Sequence, residues 1–280
     1  MLTAMLLVFA TQQPPFDTTI SVRPETRLEV TASAGTIDVK VWDRTAVRIV
    51  ARPQRGAVVL AALDGAVLDV RARTPTGGID LVDYEITVPK RMNLTLGRND
   101  VDITIHGTEG SVNASISSGA IVVDGGRGAV SLRSFEGPIE LRGTRATIKA
   151  ESTLGPITLT DIVGDVDVKS NSHHVTLVNV DSRNLRASSI SGVVRFSGPL
   201  HEDGTYLLTS HSGSVVLRSV PPINATIGVA SVSGAFRSAI PYSIINRTRA
   251  GIFAARFGNG GAQVTMESFT GALVVEAPGP

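Results

Sequence analysis

The sequence predicts an all-β chain wound as a parallel β-helix, or β-solenoid, with about 18–21 residues and two short strands per coil. Three observations predict it. Apolar and polar residues alternate through Thr36–Val41, Val101–Ile105 and Pro138–Leu141, the pattern of strands with one buried face. A signature Ser-x-x-Gly-x-Φ-x-Φ, with Φ apolar, starts at Ser134, Ser152, Ser170, Ser189, Ser210, Ser231 and Ser268, in steps of 18, 18, 19, 21, 21 and 37 residues. Half a period away runs a second series of apolar pairs, among them Val112/Ala114, Val130/Leu132, Ile148/Ala150 and Val166/Val168. Units this thin cannot bury their own apolar pairs, so they must stack.

Taken in order, Met1–Ala10 is an apolar run as long as a signal-peptide core and too short to span a bilayer, so residues 1–16 read as an export signal. Residues 17–98 carry longer strands, including Tyr84–Pro89, and are expected to start the stack and cap its N-terminal end, since a bare coil is an unpaired edge. Residues 99–277 carry the regular coils and continue the same domain. Ile121, Ile139, Ile157, Val175 and Val194 should form one inward column. The Ser231 coil should follow the Ser210 coil, with the irregular stretch Pro241–Gly261 and the Pro278–Pro280 tail closing the end. The signature glycines should supply positive φ in tight turns, and His173, standing in a glycine's place, should be left-handed.

Composition narrows the function. Lys and Arg number 26 against 25 Asp and Glu, so the chain lacks the basic excess of a nucleic-acid partner. Cysteine is absent, which removes disulfides, thiolate metal sites and a thiol nucleophile. No segment after the first ten residues is apolar enough for a transmembrane helix.

Leu28–Asp43, the Tyr84–Pro89 strand and the Ser-x-x-Gly repeats resemble the bacterial putative-adhesin family of β-strand-repeat proteins, the DUF4097 type, over about residues 20–277. The resemblance implies an exported, adhesin-like solenoid of the periplasm or cell surface and brings no catalytic motif.

The residues themselves point the same way. His173 and His174 are adjacent at a strand start and diverge, a poor arrangement for one metal ion. Asp165 and Asp167 face outward, and the repeat sets Asp167 between Lys149 and Arg186, which reads as a surface charge ladder. No catalytic, cofactor-binding or metal-ligating residue is therefore assigned. The outward residues of the signature strands, namely Val122, Pro138, Glu140, Pro156, Thr158, His174, Thr176, Val193, Arg195 and Val216, form a flat and fairly apolar face. That face is expected to meet an envelope protein or a glycan, in a non-enzymatic scaffold. A carbohydrate-active β-helix lyase or hydrolase, and a self-assembling structural protein, are the two other classes this pattern allows.

Overall fold

A computed structural model describes residues 15–75, 77–249 and 251–277. The export signal expected over residues 1–16 thus lies almost entirely outside the described residues, as does the Pro278–Pro280 tail. The described chain is all strand and turn. It opens with β1 (Phe16–Ser21), β2 (Arg27–Trp42), β3 (Ala46–Pro53), β4 (Val58–Asp64), β5 (Val67–Arg73), β6 (Leu81–Pro89) and β7 (Asn93–His106). Short strands follow: β8 (Val112–Ile116), β9 (Ile121–Asp124), β10 (Val130–Ser134), β11 (Ile139–Arg142), β12 (Ile148–Ser152), β13 (Ile157–Val163) and β14 (Val166–Ser170). The series continues with β15 (Val175–Asp181), β16 (Asn184–Ser189), β17 (Val194–Gly198), β18 (Thr205–Ser210) and β19 (Val215–Ser219). The last part holds β20 (Ala225–Ser231), β21 (Phe236–Ser238), β22 (Ser243–Arg249), β23 (Ile252–Phe257), β24 (Ala262–Ser268) and β25 (Leu273–Glu276).

Pairing sorts these strands into two stacks. In one, β8, β10, β12, β14, β16 and β18 run parallel. In the other, β9, β11, β13, β15, β17 and β19 do the same. The long strands β2 and β7 serve both stacks: Leu94 of β7 pairs with Val112, and Ile103 pairs with Ile121. Antiparallel strands lie towards the N-terminal end, β4 on β5 and β1 on β3 on β6.

The register is the one the repeat dictates. Ile121, Ile139, Ile157, Val175 and Val194 are direct cross-strand partners, and all are buried. The column extends to Ile103 on one side and Val215 on the other. Facing it, Val112, Val130, Ile148, Val166, Leu185 and Tyr206 form the buried column of the other stack. Period-2 alternation over a narrow core leaves no freedom here, because a one-residue slip would turn every apolar side chain outward.

The signature serine is a buried turn clamp. Ser189 Oγ accepts the Gly192 N–H (2.8 Å) and donates to the His173 carbonyl one coil back (3.0 Å). Ser210 repeats this with Gly213 (2.9 Å) and Gly192 (2.9 Å), and Ser268 with Gly271 (2.9 Å) and Gly213 (2.9 Å).

The glycine expectation is corrected in part. Gly137, and Gly119 at the end of a copy one residue longer (Ser115–Gly119), do have φ of +107° and +100°, but Gly155, Gly192, Gly213, Gly234 and Gly271 lie outside the left-handed range. What all seven share is crowding, since a Cβ on any of them would overlap a backbone carbonyl of the adjacent coil. Nor is His173 left-handed. The turn demands close stacking of backbone more than a special dihedral.

Coil order is the larger correction. The Ser231 coil does not sit on the Ser210 coil. Instead β24 pairs with β18 and β25 with β19, while β20 and β21 stack outside them. Arg218 reaches Glu276 at 2.6 Å across this junction. The chain therefore skips a level, builds the outer coil, and returns to fill the gap. The stretch read as irregular is a β22–β23 hairpin, antiparallel on β20. Serine spacing alone carries no order information once a coil has been skipped.

Two buried tyrosines differ in a testable way. Tyr84 pairs with Ile37 and Ala51 and is fully buried, yet its hydroxyl has no partner among the described residues. Burial, with Asp80 adding to it, pushes its phenol above the usual range. Tyr206 is buried as well, but its hydroxyl accepts the His201 N–H (2.9 Å) and donates to the Ser182 carbonyl (2.7 Å). Tyr84→Phe should accordingly raise stability by about 1 kcal/mol, and Tyr206→Phe should lower it by about 1–3 kcal/mol. Urea midpoints measured side by side test both signs.

Candidate functional site

The signature strands present their outer residues in two rows. Pro138, Pro156, His174 and Val193 occupy successive coils, each carbonyl accepting an N–H from the coil before. Val122, Glu140, Thr158, Thr176, Arg195 and Val216 follow as direct cross-strand partners. The ten residues of the expected face thus share one outer surface. Val216 departs from the expectation of exposure: it points away from the core but is only 6% exposed. Arg195 and Val274 flank it in register, so its neighbours fill the space around it.

Within the face, Glu140 pairs with Arg142 on its own strand at 2.6 Å. His174 Nδ1 accepts the Val193 N–H at 2.9 Å, so that nitrogen serves the turn. The His173 and His174 rings stand 6.3 Å apart and nearly perpendicular. Among the described residues no group of three or more His, Cys, Asp or Glu converges as metal ligands do.

The edge beside this face holds none of the residues expected from the sequence. The residues just after the signature serine stack from coil to coil in the turn hydrogen bonds. Phe135, Leu154, Ile190, Phe269 and Val232 expose large apolar side chains there, between 40% and 67% accessible. His211 joins them by stacking on Phe269, with ring centroids 5.1 Å apart and planes 12° apart. Turn tips are ordinarily polar, so an apolar column there calls for an explanation. The signal was available: the first or second position after the serine reads Phe, Leu, Ile, Val or Phe in five of the seven signatures.

The opposite sheet is more polar. Asp167 does lie between Lys149 and Arg186 in register, lining an open groove of about 520 Å³ with Asn184 and Thr205. The charge ladder itself is corrected. Lys149 pairs with Glu151 (3.2 Å), which also binds Arg133 (3.2 Å), and Asp167 forms no ion pair among the described residues. Partial burial pushes the Glu151 carboxyl up, but hydrogen bonds and charge from Lys149 and Arg133 outweigh it and hold the group below its usual value. Side chains two apart on one strand point the same way, which gave Glu151 the advantage over Asp167. Asp167→Asn should shift stability by less than about 1 kcal/mol, as read from denaturant melts.

No family model matches the chain, so its likeness to the adhesin family stays a resemblance. No curated protein matches it either. Among solved structures, a putative adhesin from Bacteroides fragilis is 11% identical, with a TM-score of 0.34 over 95% of this chain and 97% of that one. A putative adhesin from Parabacteroides merdae is 11% identical, with a TM-score of 0.34 over 94% and 95%. A putative lipid binding protein from Parabacteroides distasonis is 8% identical, with a TM-score of 0.33 over 94% and 96%. Among the described residues no helix is long and apolar enough to cross a membrane.

Proposed function

We propose that this chain is a non-enzymatic, exported binding scaffold of the cell envelope, periplasmic or surface-borne, that holds an envelope protein or glycan along its signature edge and the adjoining face. The observation that carries this reading is the column of exposed Phe135, Leu154, Ile190, Phe269 and Val232. Apolar side chains at turn tips cost solubility and add nothing to the core, so their recurrence one or two residues after the signature serine fits a surface that is covered in use. The flat rows from Val122 to Val216 extend that surface across the sheet. Regular spacing of about 4.8 Å between levels suits a partner that is itself extended. Export rests on the apolar run at Met1–Ala10.

The test is retention on isolated envelope fractions. Wild type should be retained, and the double variant Ile190→Ser, Phe269→Ser should lose at least about tenfold in affinity, with its melting temperature unchanged. Equal retention of both forms refutes the edge as the binding surface. Cleavage of an envelope polysaccharide by the wild type refutes the scaffold.

A further inference from the structure

A second cleft lies at the N-terminal end, away from the signature edge, where four turns meet. These are the β1–β2, β2–β3, β6–β7 and β7–β8 turns, and they border an open cleft of about 430 Å³, within the usual range for small-ligand sites. Its lining is apolar at Val22, Pro24, Trp42, Pro89 and Met92. Trp42 is the chain's single tryptophan. Its Nε1–H donates to the Ala46 carbonyl at 2.7 Å, which fixes the ring in place.

The rim is cationic. Arg23, Arg44, Lys90 and Arg91 line it against Asp43 and Glu109. Both acids are already engaged, Asp43 by Lys90 at 2.7 Å and Glu109 by Arg91 at 3.4 Å. Arg23 and Arg44 form no ion pair among the described residues. The Arg44 guanidinium lies 5.1 Å from the Trp42 ring centroid, so an uncompensated cation is held directly beside an aromatic surface.

We propose that this cleft binds a sugar ring bearing a carboxylate, as in a uronic-acid-containing polysaccharide. An apolar lining with a tryptophan suits the C–H face of a pyranose ring, which free inorganic phosphate lacks. Guanidinium groups pair with carboxylates through two parallel hydrogen bonds, and Arg23 and Arg44 are the two rim cations with no carboxylate partner among the described residues. The exposed edge at Phe135–Phe269 takes no part, so this site stands or falls independently of the scaffold reading.

Trp42 is its own reporter. Oligogalacturonate titrated into the full chain should change tryptophan emission saturably, while a neutral maltooligosaccharide should leave it unchanged. Arg23→Ala, Arg44→Ala should weaken binding by at least about tenfold in calorimetry, with the melting temperature kept. The charge reversal Arg23→Glu, which leaves the Arg44–Trp42 contact intact, should weaken it as well. No response to oligogalacturonate overturns the proposal, as does an equal response to the neutral sugar. A response to anionic phospholipid vesicles alone overturns it in favour of a membrane surface, and wild-type affinity in both variants overturns it too.

Discussion

Ile157→Asp is expected to unfold the middle of the solenoid. Ile157 is fully buried between Ile139 and Val175, its partners one level to either side. The core at this level is only two opposed side chains thick, and the partners of Ile157 in register are apolar, so a carboxylate there meets no cation. Burying that charge unpaired should cost about 5 kcal/mol or more, against about 1 kcal/mol for Ile157→Val, which removes one methyl group. Because each level contacts only its neighbours, the loss should appear first as rapid hydrogen exchange in β11, β13 and β15, spreading outward. Wild-type-like urea denaturation and exchange in Ile157→Asp would contradict the register.

Gly137→Ala should have the second largest effect. Gly137 has φ +107°, outside the region that an L-residue occupies comfortably, and a Cβ there would overlap the Gly119 carbonyl. The clash is with backbone in a repeating column, so neither partner can move without disturbing the next level. A cost above about 2 kcal/mol is expected. Gly143→Ala is the internal control. Its φ is +59°, with nothing within 4 Å of the added Cβ, so only the left-handed penalty of about 1 kcal/mol should appear. Equal melting shifts in the two variants would show that dihedral strain alone governs these turns.

How much of this was legible in the sequence depends on whether a feature repeats. The columns through Ile139 and Ile148 could be read because the same apolar pair returns every coil and period-2 alternation fixes which side faces in. Stacking neighbours followed from the same arithmetic as far as Val215. The order of the last coils did not, because Ser231 and Ser268 carry identical signatures and only tertiary pairing distinguishes them. Lys149 was assigned to the wrong acid because offset places strands but does not choose between Glu151 on the same strand and Asp167 on the next. The contact between His201 and Asp181, at 2.5 Å, was hidden because His201 lies in the β17–β18 turn, where the repeat sets no register against Asp181 at the end of β15. The surface was legible only in part. The flat rows were found by alternation, whereas the apolar edge lies in turns, where periodicity was read for glycine and serine and not for the residues between them.

The skipped level has a consequence for how the molecule can be assembled in time. A ribosome delivers the chain from its N-terminus, and up to β19 each new coil finds its template already in place. Residues 225–257 then emerge before the layer on which they rest, since β24 and β25 come last. Growth by simple accretion stops there. The outer coil and its hairpin have to wait, docked loosely or not at all, until Ala262–Glu276 slides between two surfaces and closes both at once. The same geometry tells against removing the C-terminal strands as a harmless trim: a chain shortened after Gly261 would lose an inner layer and leave the outer one with nothing to sit on.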